Sequence, residues 1–373
     1  MPFNFSSFAV FIGTLYYTAD SIIKHFLCKT TLDIKKVTKK RKNYKKTVLF
    51  SEETALRLPK RKKYVILSEG DFMIKETMRK TVDIIGTETD FGASKRGVNM
   101  GPMAIRYAGL QEGLEQLGFN VVDHGDIVPS QGGAGTEKLR FMEQITDANK
   151  KLYNKVSQSL LDSHFPVVLG GDHSISAGSV SAVSRHFGRI GLIWIDAHAD
   201  WNNESSTVSG NMHGMPFSAV CGFGPDCMAD FGDGAVFVDP TKCALVGARD
   251  IEPQERERLK KAGVNVFPIC DVDKYGIYEV MKKAIGIVCR DTVGIHLSFD
   301  VDALSPEEAP GTGTPVSGGL TVREAYLATE MIAETGRLLS MDMVEVNPIL
   351  DIQNKTGKLA SRLILSALGK VVY

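Results

Sequence analysis

Short, uninterrupted apolar runs alternate with amphipathic stretches from about Val82 to near the end of this 373-residue chain. Residues 82–86, 120–122, 166–169, 192–195, 243–246, 264–268, 294–299 and 338–346 read as strands. One helix is expected after Gly101-Pro102, with Ile105, Ala108, Leu110, Leu114 and Leu117 at helical spacing. Others are expected over 136–161, 175–187, 321–335 and 359–368. Runs such as Leu-Ile-Trp-Ile (192–195) are apolar at every position, as strands must be when helices cover both faces of a parallel sheet. The alternation predicts a single three-layer α/β/α domain over residues 81–373, with a parallel, doubly wound sheet.

Residues 1–80 have a different character. The apolar run at 8–17 is broken by Asp20 and Lys24, well short of the roughly 20 apolar residues a membrane span needs. Residues 1–64 carry 15 Lys or Arg against 4 Asp or Glu, with basic stretches at 29–46 and 60–63. This reads as a basic N-terminal extension, either a targeting segment or a solvated tail, so cytoplasmic and mitochondrial locations both stay open. Because Lys plus Arg and Asp plus Glu each total 44, the body must be acidic. That excludes a nucleic-acid surface and favours cations and cationic substrates. None of the six cysteines forms a CxxC pair, so buried, reduced thiols are expected, a Cys221–Cys227 disulfide being the alternative.

Three of the strands end in chemically loaded motifs: Gly170-Gly171-Asp172-His173-Ser174, Asp196-Ala197-His198-Ala199-Asp200 and Asp300-Val301-Asp302. In extended chain, residues two apart face the same way, which groups Asp196, His198 and Asp200, and likewise Asp300 and Asp302. The carboxyl ends of the strands are where open α/β sheets bind ligands. Four carboxylates in one crevice repel unless cations lie among them, and two divalent ions balance the charge. Two imidazoles (His173, His198), four carboxylates and no thiolate form a hard donor set that suits Mn²⁺ better than Zn²⁺. Such a metal pair can activate water for hydrolysis at neutral pH. His25, His124, His164, His186 and His296 lie outside the motifs, and His296 reads as a satisfied core histidine. The Gly222-x-Gly224 and Gly311-x-Gly313 pairs lack the strand–turn–helix context of a dinucleotide site.

With these motifs the sequence resembles the arginase/agmatinase family of ureohydrolases. The resemblance is carried by residues 96–110, 170–174, 196–200, 209–216 (SGNMHGMP), 247–253 (GARDIEP), 298–306, 311–320 (GTGTPVSGGL) and 344–348 (VEVNP). It implies two Mn²⁺ ions held by His173, Asp196, His198, Asp200, Asp300 and Asp302, and a metal-bridging hydroxide that attacks a guanidinium carbon. Asp200 would also steer the nucleophile, Glu345 would bind the guanidinium with Thr314 nearby, and His213 would act as proton shuttle. Asn202 and Ser209 match direct contacts to an α-carboxylate, Thr207 a water-mediated one, and Asp250 and Glu252 the acids near an α-amino group. The resemblance thus implies hydrolysis of L-arginine to L-ornithine and urea by a homotrimer or homohexamer. Agmatine or another guanidino substrate is the near alternative. A catalytically silent metal-binding relative and a one-zinc deacetylase on a related scaffold are more distant ones. Two departures from the family pattern are Ser305, expected to alter support of the ligands, and the bulky Trp201, expected to reshape the pocket rim.

Overall fold

The computed structural model describes residues 81–371. The expectations for residues 1–80, and those for His25 and Cys28, lie outside the described residues. Eight strands, β1 (Thr81–Thr87), β2 (Asn120–Ile127), β3 (Phe165–Leu169), β4 (Gly191–Ile195), β5 (Cys243–Val246), β6 (Asn265–Phe267), β7 (Ile295–Asp300) and β8 (Leu338–Val344), form one sheet. Their order is β2-β1-β3-β8-β7-β4-β5-β6, and every neighbouring pair is parallel.

Strand alternation divides the apolar side chains between two cores. In β4, Ile193 and Ile195 join one core, while Leu192 and Trp194 join the other. The first face is covered by α1 (Gly101–Tyr107), α2 (Leu110–Gln116), α7 (Ile269–Val288), α8 (Val322–Glu334) and α9 (Lys355–Ala367). The second is covered by α3 (Met142–Leu161), α4 (Ser176–Phe187), α5 (Pro216–Val220) and α6 (Pro253–Ala262). Burying the sheet on both sides is what makes its inner strands apolar throughout, so the three-layer expectation holds.

Local departures have local causes. The single helix expected after Gly101 is two, because Gly109 adopts φ 81° between α1 and α2. The helix expected from residue 136 starts at Met142. Ahead of it, Thr136 Oγ1 accepts the Leu139 N–H, and the Arg140 N–H bonds to Gly210 O, so these donors serve a loop. β8 stops at Val344, since Glu345 has φ 63° and cannot continue a strand. No helix among the described residues is long and apolar enough to cross a membrane.

The four strands at the sheet centre, β3, β8, β7 and β4, are adjacent in space although far apart in sequence. Their carboxyl ends carry the 170–174, 344–348, 300–302 and 196–200 segments respectively, so the topology gathers the motifs at one end of the sheet.

Candidate active site

The three motif-bearing turns share one construction. Asp172 Oδ1 accepts the Ser174 N–H (3.1 Å), Asp196 Oδ1 the His198 N–H (2.7 Å), and Asp300 Oδ1 the Asp302 N–H (2.7 Å). Each aspartate therefore closes a turn onto the residue two positions on, the Asx geometry, as the chain leaves its strand. Sequence reasoning placed these residues together through the alternation of an extended strand. In fact the strands end at Ile195 and Asp300, and the turns make the side chains converge.

Around His173 the crowding is specific. Its Nδ1 lies 3.1 Å from Asp196 Oδ2, 3.0 Å from Asp200 Oδ2 and 3.2 Å from Asp300 Oδ2. Its Nε2 is 2.9 Å from Ser298 Oγ, a contact that suits an Nε2–H donor and leaves Nδ1 as a bare lone pair. Both His173 Nδ1 and Asp200 Oδ2 are buried without a hydrogen-bond partner among the described residues. With Nδ1 unprotonated these are four acceptors facing one another, a set that a bound cation would satisfy. A second group stands beside the first: His198 Nδ1 lies 3.0 Å from Asp302 Oδ2 and 3.5 Å from Asp196 Oδ1. The donor atoms of His173, Asp196 and Asp200 lie within 4.8 Å of one another, as do those of Asp196, His198 and Asp302. Asp196 belongs to both sets, one oxygen facing each. The side chains present fit a metal cofactor.

The charge balance agrees. Burial raises the Asp200 carboxyl to about 6, with the Asp196 charge adding to the effect. Burial, then Asp302 and Asp196, pushes Asp300 well above the ordinary range. Burial opposes a charged His173, yet Asp196, Asp200 and Asp300 hold it well above its usual value. Asp196 goes the other way, held charged against its burial by His173 and His198, so the cluster keeps its charge only by drawing positive charge onto its imidazoles, as groups short of cations do.

Trp194 backs this cluster. Its ring stacks on His173 at 4.2 Å and on Phe217 at 4.8 Å between centroids, and its Nε1–H donates to Asp196 Oδ2 (3.0 Å). Trp201 is fully buried and packs edge-on against Phe217 at 4.9 Å. It belongs to the core, so the expectation that it shapes the pocket rim is corrected.

His213 and Glu345 stand beside the metal-type cluster. His213 Nδ1 is 3.0 Å from Glu345 Oε1, which also accepts the His173 N–H (2.9 Å). Glu345 Oε2 is buried with no partner among the described residues. Burial works against a charged His213, but Glu345, Asp200 and Asp172 outweigh it and raise the imidazole to about 9. Asp200 (φ 48°) and Glu345 (φ 63°) both have left-handed backbones, a conformation that costs a non-glycine residue free energy and that here aims both side chains at the cluster.

The remaining expected residues are placed as follows. Thr314 Oγ1 donates to Asp302 Oδ2 (3.0 Å). Asn202 Oδ1 accepts from Ser206 Oγ (2.8 Å), and Thr207 Oγ1 accepts the Gly210 N–H (3.0 Å). Ser209 Oγ accepts the Asn211 N–H (3.2 Å) and lines a surface cavity with Lys138 and Arg140. Asp250 is exposed and Glu252 half-buried at the start of α6, where the Glu252 N–H donates to Glu255 Oε2 (3.2 Å). Ser305 donates to Glu307 Oε2 (2.6 Å), a contact with a surface acid.

Several contributors escaped sequence reasoning. Asp172 is fully buried, accepts the Gly92 N–H (3.0 Å) and rises to about 6 through burial and the Glu345 charge. Its motif was visible, but its anchoring of residue 92 was not. Glu255, buried in α6, accepts the Trp201 N–H (3.0 Å) directly after Asp200. Nothing in the charged run of α6 marks it out. His296 is as expected: buried, it meets Ser340 Oγ (2.6 Å) and Asp342 Oδ2 (3.0 Å). The described cysteines are all free thiols, and Cys221 approaches Cys243 (3.7 Å).

Comparison with known proteins settles the family. The sequence model of the arginase family matches residues 80–369. An arginase of Brevibacillus brevis is 43% identical over 294 residues, covering 78% of this chain and 99% of that protein. The chain belongs to the arginase family. Among solved structures, native Bacillus caldovelox arginase at pH 5.6 superposes with a TM-score of 0.77 at 42% identity, over 79% of this chain and 100% of that one. Entamoeba histolytica arginase, in complex with L-ornithine, does so with a TM-score of 0.72 at 29% identity, over 78% and 99%. The matched region of the family coincides with the three-layer domain. The fold, the hydrolase class and the metal-type donor cluster expected of an arginase relative are therefore all present in this chain.

Proposed function

We propose that this protein hydrolyses L-arginine to L-ornithine and urea, using two Mn²⁺ ions held by His173, Asp196, His198, Asp200, Asp300 and Asp302. The observation that carries this reading is the sharing of Asp196 between two adjacent donor sets. Bound there, a divalent pair supplies water activated for attack at neutral pH. The chain's own residues do the rest. Glu345 Oε2, buried and without a partner, offers a charge-assisted acceptor for a guanidinium N–H. Asp200 Oδ2, equally unpartnered, orients the attacking water. His213, kept protonated beside Glu345, delivers a proton to the departing nitrogen as the guanidinium C–N bond breaks. Thr314 steadies Asp302 at the edge of the same pocket.

Selection of arginine over agmatine rests on recognising the α-carboxylate. Asn202 and Ser209 are its direct partners in this reading, Thr207 a water-mediated one, and Asp250 and Glu252 face the α-amino group. L-ornithine bound to the Entamoeba histolytica relative is the product expected here. A homotrimer or homohexamer in the cytoplasm or mitochondrion completes the proposal. The test is urea release from L-arginine and from agmatine by the Mn²⁺-supplemented protein. Arginine should be strongly preferred, and Asn202→Ala with Ser209→Ala should raise KM for arginine at least tenfold. Agmatine turnover exceeding that of arginine would transfer the assignment to agmatine hydrolysis.

A further inference from the structure

Arg249 has a hydrogen-bonding pattern that the proposed chemistry does not use. It lies just after β5, outside the four strands that supply the donor cluster, and is half-buried. Among the described residues its guanidinium donates only to backbone carbonyls. Nη2 reaches Asp302 O (2.7 Å), Val316 O (2.7 Å) and Leu304 O (3.2 Å). Nη1 reaches Ala303 O (3.1 Å) and Gly247 O (3.4 Å), and Nε reaches Val316 O and Ser317 O (both 3.3 Å). Its own N–H donates to Ala197 O (2.8 Å), the peptide between Asp196 and His198. One residue is therefore fastened to both turns that carry Asp196, His198 and Asp302, and to the loop that carries Thr314.

Bare carbonyls at the end of a helical turn are orphan acceptors. After β7 the chain makes a short 3₁₀ turn, Val301–Ala303, and its last carbonyls point at Arg249 rather than at water. The planar five-donor fork of arginine can serve several diverging acceptors at once, whereas a lysine ammonium has three donors at a single point. The position leaves little room for change: a Cβ on Gly319 would sit 2.6 Å from Arg249 Nη2. No carboxylate pairs directly with Arg249 among the described residues: its burial is offset by the peptide carbonyls and, from further off, by the charges of Asp302, Asp196 and Asp300.

We infer that Arg249 is a positioning residue for the Asp196–His198–Asp302 half of the metal centre and, through the 312–317 loop, for Thr314. It acts by fixing the backbones on which these side chains stand, not by touching metal or substrate. The inference rests on the two-metal reading above, so its test begins with the wild type.

Mn²⁺ binding to full-length wild type, Arg249→Lys and Arg249→Met is measured by spin-resonance titration of free Mn²⁺, with bound metal counted by mass spectrometry. Unfolding temperature is recorded beside each. Outer partners of metal ligands are generally worth about 10- to 100-fold in metal affinity. Both variants should therefore bind one ion as the wild type does and the second about 10- to 100-fold more weakly, with loss of the spin-coupled signal of a metal pair. At saturating Mn²⁺ they should recover most of kcat but keep a raised KM, because Thr314 remains displaced. A wild type that binds fewer than two ions would overturn the two-metal reading itself. A wild type that binds two, with variants that also bind two at unchanged affinity, would overturn the inference, even if the variants melt earlier. If both ions weaken equally in Arg249→Lys while it melts like the wild type, the half-site assignment is wrong.

Discussion

Glu345 Oε1 lies 3.0 Å from His213 Nδ1 and also accepts the His173 N–H, so one carboxylate oxygen ties the candidate proton donor to the turn that carries His173. The other oxygen is left free in a buried setting. In the proposed mechanism this division would let one acid perform two tasks, holding His213 charged and offering a lone pair to a cationic substrate.

The first prediction concerns His213. General acid–base catalysis contributes typically about 10²- to 10⁴-fold. His213→Asn should lower kcat by that range while leaving Mn²⁺ stoichiometry unchanged, because His213 belongs to neither donor set. Steady-state kinetics and metal analysis on the same sample check this. Loss of metal in the variant would mean that His213 serves the cluster instead.

The second prediction separates stability from function. Without cations, Asp300 is destabilised by its own burial and by the Asp302 and Asp196 charges. Asp300→Asn removes that repulsion, so the chelator-treated variant should unfold at or above the wild-type temperature. Added Mn²⁺ should raise the wild-type midpoint through binding to the native state alone, and raise the variant much less. Calorimetry with and without Mn²⁺ decides it. A variant that gains as much from Mn²⁺ as the wild type would remove Asp300 from the ligand set.

Trp194 offers an optical reading of the same centre. The chain has two tryptophans, and Trp194 stacks on His173 while its Nε1–H holds Asp196. A paramagnetic ion next to His173 should quench Trp194 emission. Trp194→Phe should therefore abolish most of the Mn²⁺-dependent quenching and weaken Mn²⁺ binding about tenfold, as loss of an outer partner does. Trp201→Phe should leave the quenching in place. Equal quenching in the two variants would contradict this geometry.

Much of this was legible in the sequence, for reasons that differ by residue. Ile193 and Trp194 are neighbours that point to opposite cores, and that demand for burial on both sides wrote itself into continuous apolar strands. Asp196, His198, Asp300 and Asp302 were visible because short spacings bring residues together whether the chain is extended or turning. Contacts between distant segments were not visible. Arg249 to Asp302 O, Asp172 to the Gly92 N–H and Glu255 to the Trp201 N–H each join a side chain to a backbone group that carries no sequence signal. Trp201 shows the converse: its position beside Asp200 suggested the pocket, and only packing against Phe217 reveals it as core.

Glu255 gives the last prediction, a dependence of stability on pH. Burial, then the Asp200 and Glu252 charges, raise its carboxyl from 4.5 to about 7, against the pull of the Trp201 and Glu252 N–H groups. An acid whose pKa is higher folded than unfolded binds its proton more tightly in the native state. Its protonation therefore favours folding, with the full benefit below about 4.5 and a progressive loss as pH rises through about 7. At roughly 1.4 kcal/mol per unit, the swing is on the order of 3 kcal/mol across that window. Glu255→Gln keeps an acceptor for the Trp201 N–H but cannot ionise. In chelator-treated protein the variant should match the wild type near pH 5 and exceed it near pH 8, by a margin of that order. Cations at the centre offset the Asp200 charge, so Mn²⁺ should narrow the difference without abolishing it, since burial is the larger cause. Denaturant midpoints at several pH values, with and without Mn²⁺, measure both effects. A wild type and variant that run parallel from pH 5 to 8 would show that Glu255 keeps an ordinary acidity in the folded chain.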